Sequence, residues 1–201
     1  MRRPYEKRLF SGYVRKPSSV ARDTRIRPKP FKRLQIPRRA RNPKRLKADV
    51  EGEKIMCFLL YAGTESPLPR KSRDKTAPDL CVESLTEHDR AIRSHFTKPE
   101  VQYVGSTSGC GCDFPFVMLH NGEWPIVEDD EDDPEWAAML SRNREGLVAL
   151  LRNAGEKSVE LYGVWEGDFE EEPKARESIA LERILDGDFW FKERGFYVVE
   201  I

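Results

Sequence analysis

Apolar residues first concentrate in residues 55–62, which read IMCFLLYA with no charged residue between them. A near-continuous apolar run of this length predicts a central strand that is buried on both faces. A second apolar run at residues 101–105 predicts another strand. Residues 158–165 alternate between apolar and polar positions, which predicts a third.

Two segments with apolar residues at helical spacing each begin after a residue that can cap a helix. Thr86 offers a side-chain cap to a segment that would extend to about residue 96. The stronger pattern begins at Asp133, which precedes a proline at the first helical position. Apolar residues then recur at helical spacing until Gly155, so this segment predicts a long helix packed against the sheet.

The C-terminal part of the chain predicts further strands. Residues 179–185 fit either a short strand that turns into one helical turn or a short helix. Residues 189–191 and 196–201 predict the two arms of a closing hairpin around residues 193–195. Strands and helices are interspersed, so we expect one α+β domain over residues 55–201, with a mixed sheet of about five strands and two main helices.

Residues 1–54 differ from the rest of the chain in charge. The first 50 residues hold 18 lysines and arginines against three acids, a net charge of +15. The remaining residues hold 17 basic and 32 acidic side chains, a net charge of −15. The tail is rich in proline and poor in apolar residues, so it cannot bury enough surface to offset its ordering entropy. We therefore predict a disordered basic tail.

The tail has two interpretations. Lysine and arginine side chains release counterions from phosphates, so one hypothesis is nucleic-acid binding. The candidate residues form a basic cluster: Arg38, Arg39, Arg41, Lys44 and Arg45. The other hypothesis is that Met56 is the true start and that residues 1–55 come from a misassigned start codon.

Compartment can be inferred from apolar runs and from cysteine spacing. No apolar run approaches the roughly 20 residues that a membrane span needs, and the basic N-terminus lacks the apolar region of a secretory signal. The four cysteines do not show the spacing of a disulfide framework. We expect a cytoplasmic protein with free thiols and no membrane partner.

Reactive side chains concentrate in residues 105–112, which read GSTSGCGC. Cys110 and Cys112 lie one residue apart, and two such thiols can form a disulfide or bind a soft metal as thiolates. Structural zinc needs about four ligands, so others would have to come from elsewhere in the chain. The candidates are Cys57, Cys81, His95 and His120.

The role of the cysteine loop stays open at this level. This spacing is not that of a zinc ribbon or finger, and a cysteine also packs well as a small buried side chain. Thiol redox chemistry, metal binding and a structural turn are therefore all retained. For the metal hypothesis, the cofactor is zinc or another soft metal, held by Cys110, Cys112 and Cys57.

Two further hypotheses concern the neighbours of the cysteines. Small residues could present backbone N–H groups to a phosphate or carboxylate, although no nucleotide motif is present. These residues are Gly105, Ser106, Thr107, Ser108 and Gly109. His120 precedes an Asn-Gly pair, and it is either a general base beside the cysteines or part of an ordinary Asn-Gly turn.

The chain opens its predicted domain with Met-Cys and an apolar strand, and later carries a G-C-G-C loop after a Y-V-G-S strand. In these features residues 56–201 resemble a group of small uncharacterised bacterial proteins without an established activity. The positions that carry the resemblance are Met56, Cys57, Tyr103, Gly105, Ser106, Gly109, Cys110, Gly111 and Cys112. The resemblance implies a bacterial domain that begins at Met56 and implies no mechanism.

Residues 56–63 (MCFLLYAG) and 119–122 (LHNG) also resemble elements of class-II glutamine amidotransferases. That resemblance implies that Cys57 is a nucleophile. Its free α-amine would act as the base if Met56 were the start and were removed.

Three function classes follow. The first is a thiol site, redox or metal-binding, on residues 105–112. The second is a non-enzymatic acidic interaction protein or immunity-type protein that binds a basic partner through acidic blocks at residues 128–133 and 168–172. The third is nucleic-acid binding through the basic tail. No motif identifies a reaction, so enzyme activity is left open and a non-enzymatic role is favoured.

Overall fold

The computed structural model describes residues 57–74, 76, 79–124 and 133–201. The strands are Phe58–Thr64 (β1), Cys81–Ser84 (β2), Glu100–Gly105 (β3), Phe116–Val117 (β4), Ser158–Trp165 (β5), Ala175–Ala180 (β6), Phe191–Lys192 (β7) and Gly195–Glu200 (β8). Six of them form one sheet in the order β2-β3-β1-β5-β8-β6, and β4 pairs with β7 in a second sheet. Within the large sheet only β6 and β8 run parallel, so the sheet is mixed. The α+β class is confirmed.

Strand β1 lies inside the large sheet. It pairs antiparallel with β3 on one edge and with β5 on the other. Six of its seven residues are buried, and only Leu59 is half-buried. The apolar run therefore forms a central strand that is buried on both faces, as its composition predicts.

One face of the sheet is covered by the long helix α1, Pro134–Asn153. Asp133 caps it, and its side chain accepts hydrogen bonds from the backbone N–H groups of Glu135 and Trp136. Leu147 and Leu151 lie one turn apart and are fully buried against the sheet. This helix agrees with the prediction from spacing and capping.

The opposite face is covered by a 3-10 helix, Arg90–His95, and by the segment after β5. The first predicted helix is therefore shorter than expected and is 3-10 in type. Thr86 does not cap it. Asp89 occupies the N-cap position, and Thr86 instead donates its N–H and its hydroxyl to Asp89 Oδ1 at 2.6 and 2.8 Å.

The predicted C-terminal hairpin is wrong. Strand β7 pairs in parallel with β4, while β8 pairs with β5 and β6. Between β7 and β8, Arg194 adopts a left-handed φ of 57°, and its N–H donates to the carbonyl oxygen of Gly163 at 2.7 Å. The turn thus transfers the chain from one sheet to the other. Before it, β6 runs directly into the 3-10 helix Leu181–Leu185, which confirms the alternative of a strand followed by a helical turn.

Several predictions concern residues outside the described ranges. They are the basic tail of residues 1–54 with its candidate nucleic-acid residues, the start at Met56, and most of the acidic block at residues 128–133. Within the part of the chain that the structure describes, no helix has the length and apolar character required to cross a membrane.

Packing of α1 makes a stability prediction. Leu147→Ala should lower the free energy of unfolding by about 2–5 kcal/mol, because it leaves a cavity under the helix. Leu150→Ala on the same helix removes the same atoms from a half-buried position and should cost clearly less. Urea unfolding followed by circular dichroism measures both losses. Equal losses would contradict the placement of α1 on the sheet.

Candidate metal centre

Sheet order brings three cysteines together. Cys57 immediately precedes β1, and the loop with Cys110 and Cys112 follows β3. Because β1 and β3 are antiparallel neighbours, the end of β3 lies beside the start of β1. The three Sγ atoms lie within 4.8 Å of one another, and all three residues are half-buried. We call this group the cysteine cluster.

Gly111 allows the loop to approach β1. A Cβ at this position would lie 2.3 Å from the carbonyl oxygen of Phe58 and 3.2 Å from Cα of Leu59, which is too close for any side chain. The presence of a glycine between Cys110 and Cys112 is therefore explained by steric exclusion of any larger residue. It lets the two thiols reach Cys57 across a backbone-to-backbone contact.

Helix α1 holds the cysteine loop through Asn143, whose side chain is fully buried. Its Oδ1 accepts the backbone N–H of Thr107 at 3.1 Å, and its Nδ2 donates to the carbonyl oxygen of Asp113 at 3.0 Å. The carboxylate of Asp113 in turn accepts the hydroxyl of Ser106 at 2.8 Å. One helix residue thus ties down both ends of the loop.

Three of the five amides predicted to bind an anion have partners inside the protein. Thr107 N–H donates to Asn143, while the N–H groups of Ser108 and Gly109 donate to the hydroxyl and the carbonyl oxygen of Ser106 at 3.2 and 2.7 Å. Gly105 belongs to β3 and pairs with β2. An anion would have to displace these acceptors, so anion binding at this loop stays a prediction.

The three thiols differ in acidity. A hydrogen bond from Cys110, helped by the Phe58 N–H that donates to Cys112 Sγ at 3.2 Å, lowers the pKa of Cys112. The same hydrogen bond, together with burial, raises the pKa of Cys110, because the donated proton is held between the sulfurs. Burial and the neighbouring Cys110 raise the pKa of Cys57 to about 11. Cys112 is therefore the first of the three to become a thiolate.

The cluster borders a cavity of about 280 Å³. Cys57 and Cys110 form part of its wall, whereas Cys112 does not line it. The lining residues also include Tyr61, Tyr103 and Phe169, of which Tyr61 and Phe169 are almost fully buried. A small molecule in this cavity would therefore contact two of the three sulfur-bearing residues.

The other predicted ligands lie elsewhere. His120 is exposed, and its backbone pairs with Glu123 around Asn121 and Gly122, which both have positive φ. It belongs to an Asn-Gly turn and neither lines the cavity nor joins the cluster. Cys81 is buried in β2 outside the cluster, and His95 makes a 2.9 Å hydrogen bond from Nε2 to the carbonyl oxygen of Phe169.

The negative charge of the acidic block at residues 168–172 is partly compensated by a basic side chain. Arg194 forms an ion pair with Glu171 at 2.7 Å, and its guanidinium also donates to the carbonyl oxygen of Glu172. Binding of a basic partner at this face stays a prediction, as does nucleic-acid binding by the tail.

The sequence pattern does not indicate most of the residues that line the cavity. These residues come from three separate segments: Leu59 and Tyr61, His88 and Asp89, and Glu166 and Phe169. Only the residues at the start of β1 could have indicated the cavity from sequence, because residues two apart in a strand share a face. Cys57, Leu59 and Tyr61 have that spacing, and all three line the cavity.

No protein-family model, curated protein or solved structure matches the chain. The resemblances to small bacterial proteins and to class-II glutamine amidotransferases therefore stay predictions.

Gly111→Ala should separate the loop from β1. We expect a loss of about 1–3 kcal/mol from overpacking and faster alkylation of Cys110 and Cys112, because the loop must move outward. Gly155→Ala is the control, since its positive φ adds strain but no atom lies within 4 Å of the new Cβ. Urea unfolding and mass-spectrometric alkylation rates measure both effects. Unchanged alkylation in Gly111→Ala would contradict the steric role of this glycine.

The lowered pKa of Cys112 leads to a prediction about the pH at which the first thiolate forms. Cys110→Ala removes the hydrogen bond that lowers the pKa of Cys112, so the first rise in thiolate ultraviolet absorbance should move to higher pH. Cys81→Ala is the control, because burial raises the pKa of Cys81 and its removal should leave the first step in place. A first step that does not move in Cys110→Ala would show that Cys110 does not stabilise the thiolate.

Proposed function

We propose that the cysteine cluster binds one soft metal ion, zinc or copper(I), through the sulfurs of Cys57, Cys110 and Cys112. The observation that supports this is the approach of three sulfurs from two distant segments to within 4.8 Å. Around a tetrahedral zinc with zinc–sulfur bonds of about 2.3 Å, the sulfurs lie roughly 3.8 Å apart. A small contraction of the loop is enough to reach that geometry, and thiolates are the ligands that such ions prefer.

Three protein ligands leave a fourth coordination position. Cys57 and Cys110 line the cavity, so a small molecule in the cavity would be able to reach this position. Structural zinc sites are closed by four protein ligands, whereas sites with three keep a position for water or a small molecule. The geometry therefore favours a metal centre that remains accessible to a ligand over a purely structural one.

Metal loading requires proton release. The raised pKa values of Cys57 and Cys110 keep both thiols protonated at neutral pH, while the lowered pKa of Cys112 favours its thiolate. A metal ion must displace the protons on Cys57 and Cys110, so affinity should rise with pH. Three thiolates and one divalent ion leave a net charge of −1.

Thiol redox chemistry is the second candidate, favoured by the hydrogen bond between Cys110 and Cys112. The Cys112 thiolate would attack one sulfur of a low-molecular-weight disulfide and release one thiolate. Attack by Cys110 would then close a Cys110–Cys112 disulfide and release the second thiol. Two protein thiols are thereby oxidised and one external disulfide is reduced. Both candidates need reduced cysteines at rest, so we propose the bacterial cytoplasm as the compartment.

Metal titration tests the proposal. Reduced, metal-free full-length protein should bind one Zn²⁺ per chain in competition with a chromophoric chelator, and more tightly as pH rises. Separate Cys57→Ser, Cys110→Ser and Cys112→Ser changes should each weaken binding at least tenfold, because each removes a ligand. Cys81→Ser is the control and should bind as the unchanged protein does, since Cys81 lies outside the cluster. Circular dichroism checks that each variant is folded.

Two outcomes would overturn the metal proposal. One is binding that survives loss of all three cluster cysteines. The other is absence of binding for both Zn²⁺ and, under anaerobic conditions, Cu⁺. If oxidised glutathione then removes two hydrogens from the mass of the protein, and Cys112→Ser prevents this, the redox candidate replaces the metal centre.

A further inference from the structure

The cysteine cluster offers three sulfur ligands and no fourth protein ligand. The Sγ atoms of Cys57, Cys110 and Cys112 lie within 4.8 Å of one another. Among the residues that the structure describes, no fourth cysteine, histidine or carboxylate shares this spacing. A tetrahedral ion such as zinc would have to complete its coordination with water or another outside ligand. By itself the cluster therefore satisfies a centre that needs three soft ligands and no more.

Hydrogen bonds position the three sulfur-bearing residues before any ligand binds. Cys112 Sγ accepts the backbone N–H of Phe58 at 3.2 Å, and the Cys112 N–H donates to Cys110 Sγ at 3.4 Å. On the other segment, the carbonyl oxygen of Cys57 accepts the N–H of Glu166 at 2.8 Å. Groups that are already held in place lose little freedom on binding. A ligand that bonds to all three sulfurs should therefore bind more tightly than one that bonds to two.

The charges around the cluster disfavour a negatively charged complex. Asp89 and Glu166 line the same cavity as two of the cluster cysteines, while one basic side chain, Arg73, packs against Gly109 of the loop. Three thiolates leave a net charge of −2 with Cu⁺ and −1 with Zn²⁺, but they leave no charge with a trivalent centre. Beside two carboxylates and one arginine, the neutral complex avoids a repulsion that the two charged complexes must overcome.

We propose that the cysteine cluster binds trivalent arsenic or antimony as a neutral complex with three sulfur bonds. Such a centre forms three bonds in a pyramid and keeps a lone pair, so it needs no fourth ligand. It is also soft, as are the thiolates that bind it. This inference deepens the proposed function and rests on it, because it uses the same three sulfurs and names the class of element that they fit.

The binding step balances without an oxidant or a reductant. Arsenous acid, As(OH)₃, exchanges each hydroxyl group for one cysteine sulfur. In each exchange an As–O bond breaks, an As–S bond forms, and the thiol proton leaves with the hydroxyl group as water. Three exchanges release three waters, and arsenic stays trivalent throughout. Cys57 and Cys110 line the cavity, so this small uncharged molecule can reach their thiols directly, and Cys112 forms the third bond.

Two arsenicals that differ in the number of available bonds test the proposal. Arsenous acid can bond to three sulfurs, whereas a phenyl group in phenylarsine oxide occupies one position and leaves two. Reduced, metal-free full-length protein should bind one arsenic atom from either reagent, as native mass spectrometry measures. Cys57→Ser should weaken binding of arsenous acid at least tenfold. It should leave binding of phenylarsine oxide almost unchanged, because Cys110 and Cys112 still supply two sulfurs.

Cys81→Ser is the matched control, because Cys81 is a buried cysteine outside the cluster, and it should bind both arsenicals as the unchanged protein does. X-ray absorption at the arsenic edge counts the bonds directly. We expect three sulfurs in the unchanged protein, and two sulfurs with one oxygen in Cys57→Ser. Equal affinity of Cys57→Ser and Cys81→Ser for arsenous acid, fewer than three sulfurs in the unchanged protein, or no binding would overturn the proposal. Circular dichroism confirms folding of each variant.

Parallel titrations with Zn²⁺ and Cu⁺ separate this inference from the proposed function. If arsenous acid binds through three sulfurs and neither metal binds, the metal proposal fails and the arsenic site stands. If a metal binds and arsenous acid does not, the reverse holds. If both bind, arsenous acid should displace the metal from the unchanged protein. Simultaneous binding of both to one chain would place the arsenic elsewhere and overturn the inference.

Discussion

The candidate site depends on the insertion of β1 between β3 and β5. Strand β3 delivers the cysteine loop to the start of β1, and β5 delivers Glu166, whose backbone N–H donates to the carbonyl oxygen of Cys57 at 2.8 Å. Because β1 is buried on both faces, a slip in its register would disturb two cores at once. Cys57 is therefore held in place by the same pairing that stabilises the sheet, although it lies just outside the strand.

The local pattern of apolar and polar residues predicts the strands and the long helix better than it predicts which strands pair with one another. The apolar run of β1, the alternation of β5 and the capped start of α1 are properties of consecutive residues, so the sequence alone indicates them. The hairpin at the C-terminus fails for the complementary reason. Residues 193–194 do form a turn. The choice of β4 as the partner of β7, however, depends on packing between segments more than 70 residues apart, and no local pattern contains that information.

The candidate site shows the same difference between features that are local in sequence and features that depend on long-range contacts. The metal hypothesis from sequence names Cys57 together with Cys110 and Cys112, but only the sheet order shows that the three residues lie side by side. The sequence does not predict the cavity, because aromatic residues such as Tyr61 and Phe169 are equally typical of an ordinary protein core. Nor does sequence reveal why Gly111 separates the two thiols, since that requires the position of the Phe58 carbonyl oxygen. Each of these is a long-range contact.

The order of strands in the sheet also has a consequence for biosynthesis. A ribosome makes Cys57, Cys110 and Cys112 before it makes β5, β6 and β8, which form the other half of the sheet. While those strands are missing, one edge of β1 has no partner, and long-range pairings of this kind form slowly. The nascent chain therefore carries four thiols, those of Cys57, Cys81, Cys110 and Cys112, before β1 gains its second partner, and mispairing among them is a risk until β5 is added.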